Sequence, residues 1–345
     1  MKSLPFLLAV LLSLKPLIIG AETVSRPLAE ASAPTGRFAQ LTGQTTGIDL
    51  VYQFPKDAPF ALMTDAYYGN GVCVGDVDGD DLPDVFLTNY DQGNRLYRNL
   101  GNWKFADITV QAGVTGDGAW CAGPSFVDID ADGDLDLYVC VFDGPNLLYQ
   151  NNGEGNFIES AASHGLDYRG PSVMMAFADY DLDGDMDGYL VTHRMPLGEE
   201  SKPPRNSQEA QARGIFRVDR SGGKPKAVIE PDYRDLFAIM DKGGGRIELI
   251  TAGREDVLYQ NDGNGKFTNA SKIAGISGHD IGLAATWWDA NNDGYPDIYV
   301  SNDYKGPDHF YMNQRNGTFK DVAKTALPHI PWLSMGSDFS DINRD

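Results

Sequence analysis

The apolar positions of the chain fall into short runs that alternate with segments rich in Gly, Asn and Asp. The clearest runs hold β-branched and aromatic residues, at 85–88, 137–142, 189–192 and 298–301. Runs of this length and composition, bounded by turn-forming residues, predict β-strands rather than helices. We therefore expect an all-β fold.

An acidic nonapeptide precedes each of these strands, and a second motif follows it. The nonapeptides read DVDGDDLPD from Asp76, DIDADGDLD from Asp128, DYDLDGDMD from Asp179 and DANNDGYPD from Asp289. The second motif ends at a phenylalanine, as in LLYQNNGEGNF at Phe157. Two unrelated motifs that recur together indicate a tandem repeat, whose period is about 52 residues.

Each repeat accommodates four strands. A small apolar strand A precedes the acidic loop, strand B follows it, strand C lies around Leu96 or Leu258, and strand D starts at the phenylalanine. Four-stranded units in tandem are typical of β-propeller blades. The sequence predicts about four complete blades. A fifth acidic loop starts at Asp341 and stops with the sequence, which leads us to expect further blades beyond it.

The chain divides into three regions and one insertion. Residues 1–21 have a positive start, an apolar stretch and a small-residue end, which predicts a signal peptide and a secreted or periplasmic protein without a membrane span once mature. Residues 22–37 have linker composition, and residues 38–345 hold the predicted propeller. The third repeat is longer than the others, and its extra residues, 195–248, interrupt the third blade. They are either a tolerated surface insertion or a functional cap, and we expect a short helix through Ala212.

The charge of the chain is concentrated in the nonapeptides. The sequence carries 49 acidic and 28 basic side chains, for a formal charge of −21, which excludes a nucleic-acid partner bound through its phosphates. The four nonapeptides hold five, five, five and three carboxylates and no Lys or Arg. Acidity that is local and regularly spaced favours bound cations over mere solvation.

The spacing of these carboxylates predicts calcium sites. Carboxylates at positions 1, 3, 5 and 9, with the carbonyl of position 7, form a cage of hard oxygen ligands that suits Ca²⁺ better than Mg²⁺. An EF-hand requires Glu at position 12, which these loops lack. About four structural ions are expected. The predicted side-chain ligands are Asp76, Asp78, Asp80, Asp84, Asp128, Asp130, Asp132, Asp136, Asp179, Asp181, Asp183, Asp187, Asp289, Asn291, Asp293 and Asp297.

Position 6 of each loop is expected to have a left-handed backbone. Glycine occupies it in three loops, as Gly133, Gly184 and Gly294, and Asp81 occupies it in the first.

The three cysteines, Cys73, Cys121 and Cys140, lie in strand-like segments. We interpret them as small buried apolar residues, with one internal disulfide as the alternative.

The motifs resemble the FG-GAP or VCBS repeat family, the calcium-binding propeller blades of integrin α subunits, and most of all the secreted bacterial members similar to cartilage acidic protein. The resemblance covers roughly 38–345 and rests on the DxDxDGxxD loops, the LYxNxGxGxF turns and the segment 47–50. It implies a seven-bladed propeller with a binding or adhesion role. Those bacterial proteins carry an ASPIC/UnbV domain, so we expect this sequence to be part of a longer protein.

The order of strands in a blade assigns the loops to two faces. The A–B and C–D connections share one face, and the B–C loops and the links between blades share the other. We expect any ligand, an unidentified protein or polysaccharide, on the face opposite the calcium loops. The insertion lies there with variable loop residues, namely Tyr90, Trp120, Asp143, Tyr304, His309 and Trp332.

The main functional hypothesis is a secreted binding, adhesion or scaffold module that is stiffened by calcium. The alternative is a calcium-dependent polysaccharide lyase or hydrolase built on a propeller, with His193, Arg194, His279 and His309 as candidates. No spacing links these residues to a nucleophile, and a lone histidine is usually a packed or solvated residue. A third hypothesis is a scaffold whose activity lies downstream in a larger protein.

Overall fold

The computed structural model describes residues 39–51, 70–89, 93–116, 118–194, 207–219, 226–234, 236–241, 247–278, 280–303, 306–331 and 333–340. Outside these residues lie the predicted signal peptide and linker, the fifth acidic loop, and Tyr90, His279, Tyr304 and Trp332. Contacts divide the chain into Met1–Leu41 and Thr42–Asp345, and every element below belongs to the second unit.

Sixteen of the strands in the described residues form antiparallel blades of four, and the other four form two hairpins. Blade 1 comprises β1–β4, blade 2 β5–β8, blade 3 β9, β10, β15 and β16, and blade 4 β17–β20. In chain order the strands are β1 Val72–Gly75, β2 Asp84–Leu87, β3 Arg95–Asn99, β4 Phe105–Asp107, β5 Cys121–Val127, β6 Asp136–Pro145, β7 Leu147–Asn151, β8 Phe157–Glu159, β9 Arg169–Ala178, β10 Asp187–Thr192, β11 Phe216–Asp219, β12 Lys226–Ile229, β13 Phe237–Asp241, β14 Ile247–Thr251, β15 Val257–Asn261, β16 Phe267–Asn269, β17 Gly282–Trp288, β18 Asp297–Asn302, β19 His309–Asn313 and β20 Phe319–Asp321.

These blades confirm the predicted all-β, propeller-type fold. Within each blade the strands pair in the order A, B, C, D, and every D strand begins at the expected phenylalanine. One pairing is not predicted by the repeat. The end of β6, around Gly144, pairs with the start of β9, around Gly170. This pairing joins blades 2 and 3 into one eight-stranded sheet.

The hydrophobic core lies between neighbouring blades. The cluster between blades 3 and 4 contains Tyr189 and Leu258 from one blade with Ile298 and Tyr311 from the other. Similar clusters join blades 1 and 2 and blades 2 and 3. The inner strands are therefore covered on both faces, and all six residues of β10 are buried. This burial explains why the B strands read as continuous apolar runs rather than as alternating patterns.

A helix of one turn follows each D strand. The apolar pattern does not predict these helices, because four residues span hardly more than one turn. These helices are α2 Thr109–Ala112, α3 Ala161–His164, α5 Ser271–Ala274 and α6 Ala323–Ala326; α1 Gly43–Thr46 is a similar turn before blade 1, and α4 Ser207–Ala212 lies in the insertion. Helices α1 and α3 occupy equivalent positions, before blades 1 and 3. In blade 1, Lys104 donates to the carbonyl of Thr45, and in blade 3, Lys266 donates to the carbonyl of Ser163.

The insertion in blade 3 is folded. It contains α4, the hairpin β11–β12, a short 3₁₀ turn at Pro231–Tyr233 and the hairpin β13–β14, which ends at Thr251 and so extends past residue 248. A small core of its own includes Ala210, Ile215 and Phe237. The predicted short helix through Ala212 is confirmed.

The cysteines are free thiols, which agrees with their interpretation as small apolar residues. Cys121 and Cys140 are buried, and Cys73 is half-buried. Burial raises the pKa of Cys121 to about 11 and raises that of Cys140 strongly. These thiols are therefore protonated at neutral pH, as expected for packed residues.

Candidate metal centres

Each acidic nonapeptide connects strand A to strand B of one blade. We name these connections loop 1 (76–84), loop 2 (128–136), loop 3 (179–187) and loop 4 (289–297). In every blade the residue before the loop pairs with position 9, as Gly75 pairs with Asp84 in blade 1. The antiparallel pairing thus closes each loop into a tight turn at the end of its hairpin.

The aspartate at position 1 organises the backbone of the loop. In loop 3, Asp179 accepts the backbone N–H of Asp183 at 3.1 Å and that of Gly184 at 3.0 Å. The other three loops repeat these bonds to positions 5 and 6. Such side-chain to backbone bonds stabilise a turn locally, so the sequence of the loop is sufficient to define its shape.

Positions 4 and 6 both have a left-handed backbone. At position 6 the prediction is confirmed, with φ of 96° for Gly133, 101° for Gly184 and 66° for Asp81. A Cβ added to Gly133 or Gly184 would meet no atom within 4 Å, so the constraint there is conformational rather than spatial. Position 4 is left-handed without glycine in loop 3, where φ of Leu182 is 62°.

The aspartate at position 9 is buried and ties the loop to strand C. In blade 4, Asp297 accepts the backbone N–H of Ala290 at 3.0 Å and that of Asn313 at 2.7 Å. The other blades repeat both bonds. Burial raises the pKa of Asp136 and of Asp187 to about 7. A nearby positive charge would favour the ionised form of these carboxylates.

Three loops gather carboxylates into one place. In each of these loops, three aspartates contribute one carboxylate oxygen apiece, and the three oxygens lie within 4.8 Å of one another. The groups are Asp76, Asp78 and Asp84 in loop 1, Asp128, Asp130 and Asp132 in loop 2, and Asp179, Asp181 and Asp187 in loop 3. Among the described residues, the predicted ligands of loop 4 do not form such a group, and neither Asp80, Asp136 nor Asp183 belongs to the group of its own loop.

Two buried oxygens in these groups fit a bound cation. Oδ1 of Asp78 and Oδ1 of Asp181 are buried and have no hydrogen-bond partner among the described residues. An unpaired buried carboxylate oxygen is costly, and a hard divalent ion satisfies it. The residues of loops 1 and 3 therefore fit Ca²⁺, and loop 2 offers the same donor chemistry.

Side chains of strand C contact position 3 of the loops. Gln150 donates to Asp130 at 3.1 Å, and Gln260 donates to Asp181 at 2.8 Å. In blade 1 the equivalent residue is Arg98, whose Nη2 lies 2.5 Å from Oδ2 of Asp78. The spacing of the acidic residues did not predict these contacts, although the residue at x of the LYxN motif supplies them.

The asparagine of the LYxN motif links one blade to the loop of the blade before it. Nδ2 of Asn313 donates to the carbonyl of Tyr180 in loop 3 at 2.9 Å and to that of Pro296 in its own loop at 3.1 Å. Asn151 and Asn261 make the equivalent pairs of bonds. The loops are thus connected from blade to blade along one face, which the shared motif alone did not reveal.

Two of the histidines named as enzyme candidates, His193 and His309, lie within the described residues. His193 is buried, and burial together with the charge of Arg194 lowers its pKa to about 3. Its backbone carbonyl accepts the N–H of Arg254 at 2.9 Å and so closes the base of the insertion. His309 lies between Asp280, at 2.7 Å, and Asp321, at 2.8 Å.

Two further loop residues of the predicted ligand face are described. The ring of Trp120 packs against that of Phe142 with 5.0 Å between centroids. Asp143 is exposed, with φ of 61°. Trp120 thus packs against the blade, and Asp143 is open to solvent.

Tandem four-stranded blades with acidic A–B loops define a class of repeat propeller. The model of the FG-GAP-like repeat matches residues 76–139, 128–190, 234–300 and 289–345, and the chain belongs to this family.

Individual relatives cover this chain only in part. Cartilage acidic protein 1 of Mus musculus is 26% identical over 218 residues, which are 58% of this chain and 32% of that protein. The Homo sapiens protein of the same name is 29% identical over 202 residues, 55% of this chain and 29% of that protein. The chain thus matches about a third of the length of these relatives.

A solved structure also aligns with this chain. The crystal structure of the V. cholerae biofilm matrix protein Bap1 aligns with 73% of this chain and 38% of that chain, at 16% identity and a TM-score of 0.32. Among the described residues of the present chain, no helix is long and apolar enough to cross a membrane.

Proposed function

We propose that this chain is a secreted, calcium-binding β-propeller that acts as a binding, adhesion or scaffold module, with calcium in a structural role. The observation that supports this most is the grouping of three carboxylates in each of loops 1, 2 and 3, with buried unpaired oxygens on Asp78 and Asp181. Membership of the FG-GAP-like repeat family supports the binding role and an extracellular location.

The residues that would hold calcium are those of the three groups, beginning with the aspartates at positions 1 and 3 of each loop. When bound, the ion would supply positive charge and satisfy oxygens that the protein leaves unpaired. The protein itself shapes the loops through the backbone bonds to position 1 and anchors them through position 9. The expected consequence is a stiffer hairpin in each blade, since the ion is held between positions that flank the turn.

A thermal melt with and without calcium tests the structural role. At free calcium about 100 times the Kd, binding stabilises a protein by about 2.7 kcal/mol, which corresponds to a rise in Tm of several degrees for a chain of this size. Asp130→Asn and Asp181→Asn are expected to reduce this rise. Asp262→Asn is the matched control, because it removes one charge from an exposed C–D turn on the same face and an asparagine retains the acceptor oxygen for Asn264 and Lys266. Equal Tm values in calcium and in EDTA would overturn the proposal.

The partner is proposed to be a protein or polysaccharide bound on the face opposite the loops. The insertion supports this, because it forms a separate folded unit with its own core between strands B and C of blade 3. Replacing 195–251 by a short Gly/Ser linker preserves the blade, since the bond between His193 and Arg254 brings the two ends together. Screening the full chain and the shortened chain against extracellular matrix proteins and a glycan array tests whether the insertion on this face binds the partner. Retention of every binding partner by the shortened chain would exclude the insertion as the binding element.

A further inference from the structure

The four loops differ in the charge that strand C presents to them. In blades 2 and 3 a neutral glutamine contacts position 3, from Gln150 and Gln260. In blade 1 the same position of the strand holds Arg98, and its guanidinium pairs with Asp78, whose side chain is only 5% exposed. A buried carboxylate of loop 1 therefore already has a cationic partner that belongs to the protein.

Blade 4 brings a cation to its loop by another route. Nε of Arg315 lies 2.8 Å from Oδ2 of Asp293, whose side chain is 10% exposed. Arg315 stands where the other C–D turns have glycine, and its φ is 59°. A left-handed backbone is unfavourable for a residue other than glycine, so the ion pair offsets a local strain.

Loop 4 also has a weaker set of ligands. Position 3 is Asn291, a neutral residue whose amide nitrogen lies 3.1 Å from the sulfur of Met312. Among the described residues, its carboxylates are not grouped as those of the other three loops are. Calcium affinity follows the number of charged ligands, and loop 4 has one fewer because Asn291 stands where the other loops have aspartate.

We propose that this chain binds calcium unevenly: loops 2 and 3 bind it tightly, whereas in loops 1 and 4 the guanidinium of Arg98 or Arg315 partly replaces the ion and weakens its binding. The inference rests on the calcium binding proposed above. A guanidinium beside a ligand carboxylate repels a divalent ion and competes for the same oxygens. In the absence of calcium the guanidinium stabilises the loop whose carboxylate it pairs with.

Calcium titration of the full chain, after removal of metal with a chelating resin, tests the proposal. Isothermal titration calorimetry is expected to resolve two tight sites and weaker binding beyond them. Arg98→Gln converts blade 1 to the arrangement of blades 2 and 3, and we expect it to add a third tight site with an affinity raised about tenfold. Gln150→Arg is the reverse change and should remove one tight site.

Arg95→Gln is the matched control. This variant removes one positive charge from the same strand as Arg98→Gln does. In the wild type, however, the guanidinium of Arg95 pairs with Asp107, and Arg95 lies at the end of β3 away from loop 1. It is expected to leave the number of tight sites unchanged. Arg315→Gly, which restores the residue of the other C–D turns, should strengthen binding in loop 4 less than Arg98→Gln does in loop 1.

A melt in EDTA supplies a readout that does not depend on calcium. Arg98→Gln is expected to lower Tm in EDTA, because Asp78 loses its cationic partner, and to show a larger rise in Tm when calcium is added. Four equivalent tight sites in the wild type, or unchanged binding and melting in Arg98→Gln, would overturn this inference and leave the proposed calcium binding intact. No calcium binding by the wild type at all would overturn both.

Discussion

Asn313 provides the sharpest test of how the blades are held together. Its side chain is 4% exposed and makes three hydrogen bonds. Nδ2 donates to the carbonyls of Tyr180 and Pro296, and Oδ1 accepts the backbone N–H of Arg315 at 2.8 Å. We expect Asn313→Ala to unfold more easily because all three bonds disappear and the buried carbonyl of Tyr180 loses this donor.

The magnitude follows from these contacts. Each intramolecular hydrogen bond contributes about 1 kcal/mol net, and a buried group left without a partner costs about 1–3 kcal/mol. For Asn313→Ala we therefore expect a loss of about 3 kcal/mol in the free energy of unfolding. Asn99 is the internal comparison, because its side chain donates to the carbonyl of its own Pro83 and, within the described residues, to no loop of another blade. Asn99→Ala removes this bond and the one that Oδ1 accepts from the N–H of Gly101 at 3.0 Å, so it should cost about 2 kcal/mol.

Urea unfolding followed by circular dichroism and tryptophan fluorescence measures both variants. The two probes should give coincident transitions, and the m-value should stay unchanged if only the folded state is affected. The contribution of the bond between blades is the difference between the two losses. If Asn313→Ala costs no more than Asn99→Ala, the bond to Tyr180 does not help to hold blade 4 against blade 3.

Two further predictions concern a charged pair and a close contact between blades. Burial lowers the pKa of His309, but hydrogen bonds to Asp280 and Asp321 outweigh it and raise the pKa to about 9. Because the pKa is higher in the folded state, the stabilisation is complete below about pH 6.5 and is lost as the pH rises through about 9. His309→Gln should therefore cost about 1.5–3 kcal/mol at pH 6 and markedly less at pH 10, and a pH-independent loss would contradict the ion pair. Separately, a Cβ at Gly123 of blade 2 would lie 2.5 Å from the carbonyl oxygen of Val173 in blade 3, so Gly123→Ala should cost about 1–3 kcal/mol in a urea melt. Gly336→Ala, where a Cβ meets no atom within 4 Å, is the control, and equal losses in the two variants would show that blades 2 and 3 can separate at this point.

The local features of the fold were predictable from local sequence. The B strands and the start of every D strand follow from short apolar runs and from the repeated phenylalanine. The left-handed position 6 follows from Gly133, Gly184 and Gly294, since this backbone conformation suits glycine. The helices of one turn were missed, because a segment of four residues carries no periodic signal.

The candidate site was predictable only in part. The sequence supplied the sixteen predicted ligands, but the structure groups three carboxylates in each of three loops and none in loop 4 within the described residues. The difference arises from side chains outside the nonapeptides. Arg315 holds Asp293, and Met312 lies against Asn291. Neither contact is visible in the spacing of the acids, because it depends on where strand C and the C–D turn come to lie.

The sequence by itself determined the strands, the tight acidic loops and their tandem order. Each of these depends on interactions between residues a few positions apart, such as the bonds from Asp179 to the backbone of its own loop. Only the tertiary structure decided which loops are joined and which cations face them. Asn313 reaches a carbonyl 133 positions away, and the end of β6 pairs with the next blade. Such contacts depend on how the blades pack through their shared apolar core, and no local pattern encodes that packing.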